Sequence, residues 1–194
     1  VICLTLFYFF QVDSLAQQIT IILVFFWGLP FFYLKIILKK KTKDMGLQVG
    51  DWPVGIFWAV FSLLASLAIS YILIYYLRLP DKYTVPFSQE FWPFVAYEML
   101  LVGSYLLLYE FFFRGFFMFS LEKHLGRLAP LVQFVFFIVF LWATQTFNWS
   151  YSFYIVTALF SGWTTYQSRS LLYSFVYSLL FFIIADTAII YIMR

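Results

Sequence analysis

Residues 54–78, VGIFWAVFSLLASLAISYILIYYLR, carry no charged side chain before the closing Arg78. About 20 apolar residues wound as an α-helix cross the hydrocarbon core of a bilayer, so this stretch is long enough to span one. Further apolar runs lie at 18–38, 93–113, 128–147, 152–167 and 170–193. The run at 152–167 is short and needs its neighbours to hold it across a membrane. Strands of an outer-membrane barrel alternate apolar and polar positions over about ten residues, and these runs do neither. The expected fold is therefore all-α: a polytopic transmembrane helical bundle of six spans. It becomes seven if residues 1–12 (VICLTLFYFFQV) complete another. Those twelve are too short to span alone and read as the tail of a truncated helix or of a signal segment.

Composition carries the same message. Of 194 residues, 64% are hydrophobic and 11% charged, against about 45–50% and about 25% in soluble domains. Mean hydropathy is +0.92. A chain of this kind cannot cover itself with polar surface, which excludes a soluble enzyme, a nucleic-acid binder and a disordered scaffold. The 26% aromatic content, with 28 Phe, suits lipid-facing and helix-packing surface. One cysteine, Cys3, leaves no internal disulfide and no cysteine-based metal site. Residues 1–194 read as a single integral membrane domain.

Orientation follows from the basic residues, which favour cytoplasmic loops. Lys39, Lys40, Lys41 and Lys43 follow the 18–38 run directly, and alternation from there puts Arg114, Lys123, Arg127 and Arg169 on the same side. Arg78, Lys82 and Arg194 fall outside. The formal charge of +3 thus reflects topology and not a nucleic-acid partner. The sequon-like Asn148-Trp-Ser150 lies close to the bilayer and is read as chance.

Ionisable groups inside a membrane are costly and are the first candidates for function. Glu98, Glu110 and Asp186 qualify. Glu110 and Arg114 are four apart on one helix face, acid before base, the order that favours a structural ion pair. Glu98, grouped with Asp186 as a buried acidic residue, falls near the outer end of its span, within reach of water. Asp186 is a buried acid among Ile, Phe and Ala: protonated, hydrogen-bonded to a nearby hydroxyl, or paired with an external subunit. His124, in SLEKHLGR beside Lys123 and Arg127, reads as a solvated interfacial side chain and is a weak candidate for haem or chlorin ligation. No cofactor is expected beyond contact with lipid or pigment. A rhomboid-type serine site fails because Ser161-Gly162 has no membrane histidine. An aspartyl site fails because Asp186 is the one aspartate in a span, and no HExxH zinc motif is present.

At Glu110 a resemblance emerges. EFFFRGFFMFSLEKHLG (110–126) resembles the first motif of the CPBP family, the CAAX-protease and bacteriocin-processing (Abi) membrane proteins, whose members read EExxxRG or WEFFFRG. MGLQVGDWPVG (45–55) looks like the family's "GL…GDW…G" stretch before a membrane helix. SGWTTYQSRSLLYSFVYS (161–178) resembles its "GxxxxRTGSLxPAILLH" stretch. Together they cover residues 45 to about 190, with 1–44 as an N-terminal helical region and basic loop. The resemblance implies an all-α bundle in a bacterial cytoplasmic (inner) membrane and intramembrane peptide hydrolysis. The family's catalytic set is an acidic pair and two histidines, one of them accompanied by Asn or Asp.

Glu110 and Arg114 match the motif's second Glu and its Arg, while Tyr109 replaces the first Glu. The first histidine falls at Thr144, reading Phe140 as the Phe of FxxxH. The second falls at Ser178, with Phe182 in place of Asn or Asp. Tyr, Thr and Ser neither bind a divalent metal well nor act as bases at neutral pH. The resemblance thus implies a degenerate member, a pseudoprotease, serving as a structural, assembly or regulatory subunit of a larger membrane complex. Its expected partners are lipids and other integral membrane subunits. The alternative is a divergent CPBP endopeptidase using Glu110 with Asp186 or Tyr109. A transporter is a third class, for which Glu98, Glu110, Asp186, Thr144 and Gln145 are too scattered.

Overall fold

The computed structural model describes residues 15–76, 85–86, 89–144 and 152–192. Residues 1–12 with Cys3, the sequon at 148–150, and Arg78, Lys82, Gln145 and Arg194 lie outside them. Among the described residues all regular structure is helical: α1 (15–37), α2 (Trp52–Tyr75), α3 (91–125), α4 (Ala129–Ala143), α5 (Ser152–Ser168) and α6 (Leu171–Ile192). A short 3₁₀ turn, Thr42–Met45, separates α1 from α2. Four helical stretches are long and apolar enough to cross a membrane: Thr20–Ile37, Trp52–Tyr75, the run Phe91–Ala143 and Leu171–Ile192.

The run Phe91–Ala143 is 53 residues long, which as a straight rod would be about 80 Å. It is folded back at Gly126, whose φ of 52° is open to glycine. α4 then returns along α3, with Phe117 stacked on Phe136 at 4.1 Å between centroids and Phe113 edge-on to Phe137 at 5.0 Å. The apolar run expected to end at residue 113 continues as helix to Leu125. Phe111, Phe112, Phe113 and Met118 are all buried, so the Phe-rich motif is helical core.

Bundle packing inverts the soluble pattern. On α2, Phe57, Phe61 and Leu64 face outward, while Ser62, Ser66 and Ser70, one turn apart, are buried. Those serines lie where α2 meets α5 and α6: Ser62 Oγ is 2.8 Å from Thr164 Oγ1 and Ser66 Oγ is 3.2 Å from the Tyr177 hydroxyl. Small hydroxyl residues let helices approach closely and bond across the seam, the packing chemistry of helices in lipid. α5 is the hub, in contact with α2, α4 and α6.

α2 begins where its sequence says it should. Asp51 is the N-cap, with its Oδ1 accepting from Val54 N at 3.2 Å, and Pro53 occupies the first turn, where a missing N–H is harmless. Asp51→Ala is expected to lower stability by about 1 kcal/mol, read as a lower midpoint in unfolding of the detergent-solubilised protein.

Candidate functional site

The three segments that carry the family resemblance meet in space. After the 3₁₀ turn the chain passes Gly46 and Gly50, both with positive φ, and pairs with the α5–α6 turn. Leu171 N donates to Gly46 O and Asp51 N to Ser168 O, both at 2.9 Å. Gln48 Nε2 donates to Arg169 O at 3.1 Å and Ser170 Oγ to Gln48 O. Gly115 closes the third side. A Cβ there would stand 2.9 Å from Met45 O and 3.1 Å from Leu171 Cδ1, so the motif's Arg-Gly step is where α3 touches this clasp.

Glu110 sits above that contact. From Glu110 to Met118, α3 winds in wider i→i+5 turns, a form common at functional positions. Glu110 is 1% exposed and Arg114 3%, with Arg114 Nη1 3.5 Å from Glu110 Oε1. Ser174 Oγ donates to Glu110 Oε2 at 2.7 Å, and Ser178 Oγ reaches Oε1 at 3.5 Å. Behind them, Thr165 Oγ1 donates to Ser174 Oγ at 2.7 Å and Ser161 Oγ is 2.9 Å from Ser178 Oγ. Both carboxylate oxygens are therefore engaged, and each serine contacting them is held by a hydroxyl from α5. The same seam continues to Tyr177, whose hydroxyl donates to Thr157 O at 3.2 Å.

The positions aligned with the family's catalytic residues divide. Ser178 stands against the Glu110 carboxylate. Tyr109 is half-buried and packs edge-on against Phe26 and Phe137, with ring centroids 5.6 and 6.0 Å away. Thr144 closes α4, its hydroxyl donating to Phe140 O at 2.9 Å. Phe182 is buried with its ring 4.6 Å from Tyr154. His124 is exposed in the last turn of α3. Among the described residues no group of three or more His, Cys, Asp or Glu side chains could hold a metal ion. The arrangement sets a buried carboxyl group beside a guanidinium and encloses it with hydroxyl donors.

Comparison with known proteins finds no matching family model, no matching curated protein and no matching solved structure.

The second pair of acids is buried, as its sequence reading has it, and what the structure adds is the pairing. Glu98 is fully buried and interacts with Asp186 across the α3–α6 contact. Asp186, 1% exposed, thus has an acidic neighbour inside its own chain. Sequence reasoning passed over Ser174 and Thr165, and weighed Ser161 only as a serine nucleophile. The available signal was the spacing of Ser174 and Ser178, four residues apart in an otherwise apolar helix, which puts them on one face.

Proposed function

We infer that this chain is a non-catalytic, CPBP-like integral membrane protein of six or seven spans. Its role is that of a structural, assembly or regulatory subunit of a larger complex in a bacterial inner membrane, with the Lys39–Lys43 loop facing the cytoplasm. The observation that carries this reading is the closed state of Glu110: buried, ion-paired with Arg114 and bonded by Ser174. The convergence of residues 45–51, 110–115 and 168–178 on one clasp supports the family resemblance. Large exposed aromatic side chains, Trp92, Trp142 and Tyr191 among them, offer surface for further helices or lipid.

Gentle-detergent purification of the native protein with mass spectrometry of what accompanies it tests the role. A stoichiometric set of membrane subunits is the expected result. A lone monomer that cleaves a prenylated or leader peptide, with cleavage lost in Glu110→Ala, would replace this reading by the divergent endopeptidase.

A further inference from the structure

Two cavities lie end to end along the α1–α3 seam. The first is an apolar groove of about 640 Å³ between the second half of α1 and the Phe-rich part of α3, lined by Tyr33, Ile36, Ile37, Phe112, Phe116 and Phe117 among others. The second, about 390 Å³, is polar and gathers Lys40, Lys43, Lys123 and Arg169 with Asp44 and Glu122. They are neighbours by chain geometry. Lys40 N donates to Leu34 O at 2.9 Å across Lys39, whose φ is positive, a closure that ends α1 and folds Lys40 back beside its last turn. Ser120 is one turn beyond Phe116 on α3, and Lys40 Nζ reaches its Oγ at 3.4 Å. The Lys40–Ser120 contact therefore marks where the groove and the basic pocket approach each other along α3.

The charges in the pocket do not cancel. Glu122 pairs with Arg169 at 2.6 Å, and Asp44, which accepts Lys41 N at 3.1 Å, offsets one lysine. Lys40, Lys43 and Lys123 against Asp44 leave a surplus of two positive charges. Burial, and after it the Lys123 charge, holds the Lys40 ammonium below the usual lysine range, against the opposing pull of Asp44 and Glu122. An anion between Lys40 and Lys123 would offset the repulsion between them.

We propose that this seam is a binding site for an anionic phospholipid, with the phosphate in the Lys40–Lys43–Lys123 pocket and an acyl chain along the Ile36–Phe116 groove. Charge complementarity selects the headgroup, and the apolar lining selects a chain over a soluble phosphate. A zwitterionic lipid gains less, because its own cation meets the same lysines.

The test uses the full-length protein in detergent, titrated with short-chain phosphatidylglycerol, the matching phosphatidylcholine and glycerol phosphate, and followed by thermal unfolding and native mass spectrometry. Phosphatidylglycerol should bind and raise the unfolding temperature more than the other two. Lys40→Gln with Lys123→Gln should weaken that binding by about tenfold or more. If the double variant folds poorly, Lys123→Gln alone, at an exposed position, should weaken it in the same direction. Ile36→Trp, which fills the groove, should weaken lipid binding while leaving the lysines in place. Equal binding of phosphatidylcholine, equal binding of glycerol phosphate, or lysine variants that bind phosphatidylglycerol like the parent would each overturn the proposal.

Discussion

Arg114→Met should destabilise the folded protein by about 3–5 kcal/mol, the usual cost of stranding one member of a buried ion pair. Arg114 and Glu110 are both almost fully enclosed and 3.5 Å apart. Without the guanidinium, Glu110 keeps Ser174 at 2.7 Å and the longer approach of Ser178. Two neutral hydroxyls do not balance a carboxylate removed from water. Glu110→Gln should be costly too, since it leaves the guanidinium buried beside a neutral amide and an arginine cannot shed its charge. The double variant Glu110→Gln, Arg114→Met should recover much of the loss, because no ion is left buried. Denaturant unfolding in detergent, followed by tryptophan fluorescence, supplies all four corners of this cycle. If both single variants stay within about 1 kcal/mol of the parent, the pair is not a structural element and the non-catalytic reading loses its main support.

How far the sequence reaches is clearest by comparing elements. The runs at 54–78, 152–167 and 170–193 fall within three residues of α2, α5 and α6 at each described end, because length and hydropathy alone decide where such helices form. The apolar run at 93–113 stops before Arg114, but the helix does not: Glu110 and Arg114 pair with each other, Glu110 bonds to α6, and the helix runs on to Leu125. The ion pair was legible because it is local, four residues on one face. The partners of Glu110 were not: Ser174 and Ser178 come from another helix, and periodicity gives a face but not what it meets. Glu98 and Asp186 are the same case, 88 positions apart in the chain and neighbours only once α3 and α6 have docked.

Gly50→Ala is expected to cost about 3 kcal/mol, two effects falling on one atom. Gly50 has φ of 64°, where a Cβ crowds its own backbone. That Cβ would also stand 2.1 Å from Ser168 O and 3.1 Å from Ser170 Cβ. Ser168 O is backbone and accepts from Asp51 N at 2.9 Å, so it cannot swing aside without breaking the bond that holds the clasp. Opening the clasp exposes Gln48 O and Arg169 O and loosens the cap on α2, since Asp51 is both partner in the clasp and N-cap. Gly28→Ala is the control: its nearest atom would be Leu23 O at 3.6 Å, an ordinary contact inside a helix, and replacing a helical glycine should be neutral or stabilising by up to about 1 kcal/mol. A Gly50→Ala variant that unfolds with the parent would mean the 46–51 segment is not held against the α5–α6 turn. A selective loss relative to Gly28→Ala would make the clasp between residues 46–51 and 168–171 a principal tie between the two ends of this fold.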